Sequence, residues 1–295
     1  MKKVDFDNEF KNPGSEYRSI PFWAWNDELD TDEIRRQIRE MKSCGIGGFF
    51  IHSRDGLETE YLSDKWFECV SAAVDEAKKS GMFSWLYDED RWPSGTCGGS
   101  ITATDKNGCK GLTLEVCFSV PEKIEGNVLV LYKAEVHEME IYSLERICNA
   151  DGLILSDKEA LLIARLEVSG KSEWFNNSAP PDNLSFDTVS DFINNTHKIY
   201  KKAVGSEFGK TIPGIFTDEP SLADRHASFN PNRSWIPWTE EFEKYFFEKR
   251  GYDVLDMIPY FYFNGEKSAK IRHDYWRTVS ERFKDCLLYT SDAAD

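Results

Sequence analysis

The sequence predicts an α/β protein that holds part of a (β/α)8 barrel, about its first four units, with a small antiparallel β module inserted. Up to residue 87, short apolar runs alternate with segments of helical periodicity, which is typical of parallel strands covered by helices. From 101 to 180, helical periodicity gives way to short alternating strands. Helical spacing then resumes and leads to the apolar run Ile212–Phe216, which is followed by polar residues.

The first two predicted strands are separated by one helix. Ser19–Trp25 is apolar and aromatic and predicts a strand. Asp30, with Glu33 three residues later, resembles a capping box and predicts the start of a helix that ends near Gly45. Ile46–His52 is a second apolar run, so a second buried strand is expected there.

A second helix and a third strand follow with short connections. Ser63 is a typical helix N-cap, and apolar residues at helical spacing continue to a stop at Gly81. Met82–Tyr87 predicts the third strand. An open doubly wound sheet is the alternative architecture, but no glycine-rich phosphate-binding loop follows any predicted strand.

The inserted module and the rest of the chain complete the predicted organisation. The antiparallel strands are expected at Leu112–Val120, Val128–Val136, Met139–Leu144 and Leu161–Val168. Three further helices are expected, from Ser185 to Gly205, from Thr239 to Lys249, and over 268–284. The predicted domains are therefore 1–100 and 181–285 for the barrel, with 101–180 for the module.

Two observations predict that the natural protein continues beyond this chain. An eight-unit barrel takes about 250 residues, and the residues outside the module suffice for about four units. Residues 286–295 resemble a translated sequencing-library adapter, so they are expected to be a non-native tail.

Charge and cysteine content exclude some classes of function. The chain has 295 residues, a formal net charge of −16 and a pI of about 4.9, which disfavours nucleic acids and anionic membrane surfaces as partners. No apolar run has the length of a membrane span, and no secretory signal is recognisable. The 7 cysteines are scattered without a C-x-x-C pair, so reduced thiols and a cytoplasmic location are expected.

The end of the fourth predicted strand carries the candidate catalytic residues. Barrel enzymes place catalytic side chains at the carboxyl ends of their strands, and Asp218 and Glu219 follow the apolar run described above. Glycoside cleavage uses two carboxyl groups, one of which protonates the leaving oxygen. Glu219, which precedes Pro220, is the candidate general acid, with Asp218 beside it. The alternative is that the two carboxylates cap a helix.

The other strand ends carry candidate substrate-binding residues. These are Trp25, Asn26, His52, Arg54, Asp88, Glu89, Asp90 and Trp92. Three adjacent acids repel one another unless they are partnered, which leaves open substrate contacts, a calcium-type oxygen site or salt bridges to Arg91. His52 could equally be a satisfied hydrogen-bonding residue, and the two tryptophans could belong to the core. Apart from that possible calcium, no metal or cofactor is expected.

Four segments, taken in order, resemble a known family. They are Pro-Phe-Trp-Ala-Trp-Asn at 21–26, Met-Lys-Ser-Cys-Gly-Ile-Gly-Gly at 41–48, Tyr-Asp-Glu-Asp-Arg-Trp-Pro-Ser-Gly at 87–95 and Gly-Ile-Phe-Thr-Asp-Glu-Pro at 214–220. Together they are similar to large bacterial glycoside hydrolases related to the α-L-rhamnosidases of glycoside hydrolase family 106. The resemblance covers the chain up to about Asp285.

The resemblance implies a (β/α)8 catalytic barrel followed by β-sandwich, sugar-binding domains, with a glycoside or oligosaccharide as substrate. It matches Glu219 to an acid at the fourth strand end and implies a second catalytic carboxylate on a later strand. Because that strand would lie beyond residue 285, the chain by itself is expected to be inactive.

Two other functions stay open at this point. A non-catalytic carbohydrate-binding barrel would need aromatic and amide side chains rather than clustered acids. A metal-dependent hydrolase would need a ligand set such as two histidines spaced on one strand, and His52 has no such partner in the sequence around it. The sequence therefore favours a glycosidase that acts on O-glycosyl bonds.

Overall fold

The computed structural model describes residues 6–222 and 227–288. By their internal contacts, these residues divide into two units. The parallel-sheet unit contains 6–98 and 191–220, and the antiparallel-sheet unit contains 99–190, 221–222 and 227–288. Most of the predicted non-native tail, 289–295, lies outside the described residues, and the first two tail residues, Cys286 and Leu287, are buried in the antiparallel-sheet unit.

Strands and helices of the described residues are numbered in chain order. The strands are β1 (Phe22–Trp25), β2 (Gly48–Ser53), β3 (Phe83–Tyr87), β4 (Lys110–Cys117), β5 (Val128–His137), β6 (Glu140–Ile147), β7 (Glu159–Val168), β8 (Ile215–Phe216) and β9 (Ser234–Trp238). The α-helices are α1 (Phe6–Lys11), α2 (Thr31–Ser43), α3 (Asp64–Ser80), α4 (Phe186–Asn195), α5 (His197–Val204), α6 (Phe242–Arg250), α7 (Pro259–Tyr262) and α8 (Ser268–Phe283), and a π-helical turn spans Lys284–Leu288.

The parallel sheet has the strand order β1-β2-β3-β8, which is the order of these strands along the chain. Each neighbouring pair is parallel, and the register aligns Trp25 with Ser53 and Tyr87 with Phe216. Helices α2 and α3 connect the first three strands. The predicted α/β fold class is therefore confirmed, while closure into a barrel stays a prediction.

The helices between the parallel strands begin and end where the sequence predicts. The Asp30 carboxylate accepts the backbone N–H groups of Asp32 and Glu33, and the Ser63 hydroxyl accepts that of Trp66. These bonds satisfy donors that the first turn of a helix leaves unpaired. Helix α3 ends at Gly81, whose φ of 61° is a left-handed conformation that glycine adopts without steric strain.

One face of the parallel sheet packs against α2 and α3. Ile38 of α2 and Val70 of α3 are fully buried, and they lie in one core with Phe49, Ile51 and Leu86 of the strands. Burying each such side chain stabilises the fold by about 1.5–3 kcal/mol. The apolar periodicity of the two helices therefore fixes which face of the sheet is covered.

The opposite face of the parallel sheet is aromatic. Phe22 lies 5.1 Å from Phe50 and 5.2 Å from Phe216, and Phe50 stacks on Trp85 at 5.2 Å between ring centroids. Because side chains alternate along a strand, His52, two residues after Phe50, lies on this same face. The aromatic face thus leads to the strand ends that carry the polar candidates.

The antiparallel sheet has five strands in the order β6-β5-β7-β4-β9. Four of them come from the predicted module, and the fifth, β9, pairs antiparallel with β4. Trp238 of β9 and Phe242 and Phe246 of α6 are buried in one core with Leu112 and Leu162 of the sheet. These contacts group the residues after 220 with the antiparallel sheet, in contrast to their predicted assignment to the barrel.

The helix predicted from Ser185 to Gly205 consists of two helices. Helix α4 ends at Asn195 and α5 begins at His197, with Thr196 between them in a non-helical conformation. The Thr196 hydroxyl donates a hydrogen bond to the carbonyl oxygen of Phe192 at 2.6 Å. This bond links the residue between the two helices to the last turn of α4.

Candidate active site

The candidate site lies at the carboxyl ends of β2, β3 and β8, all within the parallel-sheet unit. His52 is near the end of β2, Asp88 follows β3, and Asp218 and Glu219 follow β8. In a parallel sheet these ends meet at one edge. The alignment of adjacent strands therefore brings together residues that are far apart in the sequence.

His52, Tyr87 and Asp218 form the centre of the site. The rings of His52 and Tyr87 stack with centroids 4.0 Å apart and planes 14° apart. The Tyr87 hydroxyl donates a hydrogen bond to Asp218 Oδ2 at 3.4 Å, and His52 Nε2 lies 3.8 Å from the same oxygen. Two predicted residues, His52 and Asp218, are thus brought together through Tyr87.

Burial shifts the titration of this group of residues. Burial raises the pKa of Asp218, and the neighbouring Glu219 charge raises it further. Burial lowers the pKa of His52, and the positive charge of Arg54 adds to that shift. Asp218 therefore keeps its proton to a higher pH than an exposed aspartate does, and His52 is mainly neutral at pH 7.

Glu219 projects at the surface of the site beside Trp92. The Trp92 indole Nε1 donates a hydrogen bond to Glu219 Oε2 at 2.9 Å. The φ of Glu219 is 41°, a left-handed conformation that costs a non-glycine residue about 1–3 kcal/mol. The hydrogen bond from Trp92, which is itself a predicted site residue, and this backbone conformation together orient the Glu219 carboxyl group.

Asp88 has no exposed surface and connects two segments of the site. Its Oδ1 accepts a hydrogen bond from Ser94 Oγ at 2.5 Å, and its Oδ2 accepts one from Thr217 Oγ1 at 2.6 Å. His197 Nε2 lies 3.6 Å from Oδ2. Burial raises the pKa of Asp88 to about 7, although the two hydroxyl donors oppose this shift. A fully buried side chain cannot contact a substrate directly, so the predicted substrate-binding role is corrected to an internal one.

Glu89 is also fully buried, and its carboxylate binds the loop that follows. It accepts backbone N–H groups from Asp90, Gly95, Thr96, Cys97 and Gly98. Burial raises the pKa of Glu89, and these donors oppose that shift. Both Glu89 oxygens accept hydrogen bonds from the loop, so Glu89 organises this loop. This role differs from the substrate contact that the sequence predicted.

Asp90 points away from its two acidic neighbours. Its Oδ1 accepts a hydrogen bond from Ser53 Oγ at 3.0 Å, and its Oδ2 lies 3.6 Å from Arg91 Nε. Arg91 also forms an ion pair with Asp55 at 2.9 Å. The salt-bridge interpretation of residues 88–90 thus holds for Asp90. The three carboxylates do not converge, and the described part of the chain contains no cluster of three or more His, Cys, Asp or Glu side chains suited to a metal.

The remaining predicted residues lie at the ends of β1 and β2. Trp25 is buried against Trp66, with ring centroids 5.2 Å apart, so it belongs to the core and not to a sugar-binding surface. Asn26 and Arg54 are exposed. The charge of Arg54 acts on both His52 and Asp218, which indicates that it lies close to the site.

Four residues of the site were not among the predicted ones. Tyr87 and Ser94 lie in the quoted segment 87–95, and Thr217 directly precedes Asp218, so their positions in these motifs could have identified them. His197 could not be found in this way, because its approach to Asp88 depends on the break between α4 and α5.

The comparisons with known proteins bear on the fold. No protein-family model matches the sequence, and no curated protein sequence matches it. Among solved structures, the chain is similar to a rhamnosidase from Novosphingobium sp. PP1Y, with a TM-score of 0.61 over 99% of this chain and 13% sequence identity. The chain spans 46% of the length of that rhamnosidase. The likeness shows a fold shared with a glycoside hydrolase, and membership of family 106 stays a prediction.

No helix among the described residues is long and apolar enough to cross a membrane. The predicted cytoplasmic location stays a prediction.

Proposed function

We propose that the chain belongs to a glycoside hydrolase and that its parallel-sheet unit forms the first units of a catalytic (β/α)8 barrel. The observation that carries this proposal is the grouping of Asp218, Glu219, His52 and Trp92 at the ends of adjacent parallel strands. The fold likeness to a rhamnosidase supports the same class of reaction. The proposed substrate is a glycoside of a deoxyhexose such as L-rhamnose.

Asp218 and Glu219 are the catalytic carboxyl groups that this chain supplies in the proposal, and a further catalytic carboxylate is proposed on a later strand of the full-length protein. Asp218 is partly buried beside His52 and Tyr87, and burial raises its pKa, which favours the protonated form that a general acid needs. Asp218 is therefore the proposed proton donor, whereas the sequence favoured Glu219. Glu219 is exposed and oriented by Trp92, so it is available to the sugar or to water.

The surrounding residues supply sugar contacts in this proposal. Trp92 offers an aromatic surface next to Glu219, and a sugar ring can pack on such a surface. Asp90, Arg54 and Asn26 provide polar groups near the strand ends, while His52, mainly neutral, can donate or accept a hydrogen bond.

The test is turnover by the full-length protein that carries this sequence. A panel of p-nitrophenyl glycosides that includes the α-L-rhamnoside is expected to release p-nitrophenol. Asp218→Asn and Glu219→Gln are each expected to lower kcat by about 10²–10⁴-fold, whereas Glu58→Gln, which changes an exposed carboxylate of the same unit, leaves it unchanged.

Equal turnover in the wild type and both site variants would refute the assignment of these carboxyl groups. If the wild type binds sugars measured by calorimetry but cleaves none of the panel, the non-catalytic carbohydrate-binding alternative is favoured. Absence of both binding and turnover contradicts the proposed function.

A further inference from the structure

Asp88 is buried, yet its hydrogen bonds reach both segments that form the candidate site. The Ser94 hydroxyl, in the loop after β3, donates to Oδ1, and the Thr217 hydroxyl, just after β8, donates to Oδ2. The two bonds measure 2.5 and 2.6 Å, which is the short range typical of hydroxyl groups that donate to a carboxylate. One side chain thus joins the ends of two adjacent strands.

Ser94 extends this connection to the backbone of Asp218. The Asp218 backbone N–H donates to Ser94 Oγ at 2.9 Å, and the Ser94 backbone N–H donates to the carbonyl oxygen of Asp218 at 2.8 Å. Asp218 is therefore held from two sides, through Ser94 across the sheet edge and through Thr217 along the chain. Both routes begin at the Asp88 carboxylate.

The backbone after Asp218 needs such support. Glu219 has a φ of 41°, and a strained non-glycine conformation persists only where the surrounding structure holds it. Pro220 follows, and its ring further restricts the residue before it. The side chain of Glu219 itself has one described anchor, the indole Nε1 of Trp92. The orientation of Glu219 thus depends on the position of the segment 217–219.

We propose that Asp88 is a positioning residue that fixes Asp218 and Glu219 in the geometry required for catalysis, by binding Ser94 and Thr217. This inference rests on the proposed function for its catalytic consequence. Asp88 does not touch the substrate, since it has no exposed surface.

Two variants remove the connection in different ways. Asp88→Asn keeps the shape of the side chain but replaces one acceptor oxygen by an NH₂ group, which cannot accept a hydroxyl proton. Thr217→Val removes one donor and keeps the branched shape. The matched control is Thr211→Val, because the Thr211 hydroxyl donates to the Glu207 carboxylate at 2.8 Å within the same unit, away from the candidate site.

The first measurement is the Trp92 indole N–H signal in a ¹H–¹⁵N spectrum of this chain, identified by its loss in Trp92→Phe. Because this N–H binds Glu219, Asp88→Asn and Thr217→Val are expected to move the signal and to speed its hydrogen exchange at least tenfold. Thr211→Val should leave both unchanged. An unmoved signal in folded Asp88→Asn overturns the proposal, and if that variant does not fold, Thr217→Val decides in the same way.

The second measurement is steady-state kinetics of the full-length protein with an aryl glycoside. A positioning role predicts that kcat falls by about tenfold to a hundredfold in both variants, since a displacement of about 1 Å can have this effect. KM should stay within twofold. If the wild type shows no turnover, the proposed function is refuted but the positioning role of Asp88 is not. The indole signal still decides whether Asp88 positions Glu219. Normal kcat in both variants overturns the catalytic role of the positioning.

Discussion

Replacing Asp88 by asparagine should change how the stability of the protein depends on pH. Burial raises the pKa of Asp88 from 3.8 to about 7 in the folded protein. The folded state therefore binds this proton more tightly than the unfolded state does. As pH rises from about 4 to about 7, the wild type must ionise a buried carboxyl group, and its free energy of unfolding falls; above about pH 7 this contribution no longer changes.

The size of the effect follows from the difference between the two pKa values. A difference of about 3 units corresponds to about 4 kcal/mol of unfolding free energy across this pH range. Asp88→Asn cannot ionise, so it lacks this contribution. The free energy of unfolding of the variant minus that of the wild type should therefore rise by about 4 kcal/mol between pH 4 and pH 7.5. The lost hydrogen bonds add an offset to this difference that does not depend on pH.

Urea unfolding at a series of pH values measures this difference. His197, Glu89, Tyr61, Tyr87 and Tyr200 also lie around Asp88, and all of them are present in both proteins. His197 lies 3.6 Å from Asp88 and could itself titrate in this pH range. The wild type and Asp88→Asn should therefore also be compared when both carry His197→Gln. If the stability difference between wild type and variant stays constant from pH 4 to pH 7.5, the raised pKa of Asp88 is refuted.

Three further changes test other parts of the structure. Glu89→Gln should lower the free energy of unfolding by about 3 kcal/mol, because backbone N–H groups of the loop lose an acceptor; a loss under about 1 kcal/mol in urea unfolding contradicts this. Ile38→Ala should cost about 2–5 kcal/mol by leaving a cavity, whereas exposed Lys42→Ala stays within about 0.5 kcal/mol. Trp92→Phe should lower kcat of the full-length protein about tenfold, since it removes the indole N–H that binds Glu219; unchanged kcat argues against that contact.

The sequence predicts the elements of the parallel-sheet unit because their signals are local. Asp30 and Ser63 bind the first turns of their own helices, and Gly81 ends its helix through its own backbone conformation. Apolar runs between such signals leave few alternatives to buried parallel strands. The presence and type of these elements could therefore be predicted from neighbouring residues alone, whereas the strands begin one to three residues later than predicted.

The fifth strand of the antiparallel sheet was missed for a different reason. Ser234–Trp238 contains Pro237, and a proline usually counts against a strand assignment. In the structure β9 is at the edge of its sheet, where the missing N–H of proline is tolerated. Only the pairing with β4, more than a hundred residues earlier, reveals this role.

The sequence also does not predict which way the side chains point in the loop after β3. Residues 88–90 are three adjacent acids, and no periodicity applies outside a strand or helix. Asp88 turns to Thr217, Glu89 to its own loop and Asp90 to Ser53. The sequence therefore predicts that acids gather at this edge of the sheet, and the hydrogen bonds decide which of them stay available to a ligand.

The most direct test of the account is the structure of the full-length Glu219→Gln variant with an uncleaved α-L-rhamnoside. We expect the sugar to lie at the ends of β2, β3 and β8, with its glycosidic oxygen within about 3 Å of the Asp218 carboxyl group. A sugar bound only on the antiparallel-sheet unit, with no sugar atom in contact with Asp218 or residue 219, would contradict this expectation.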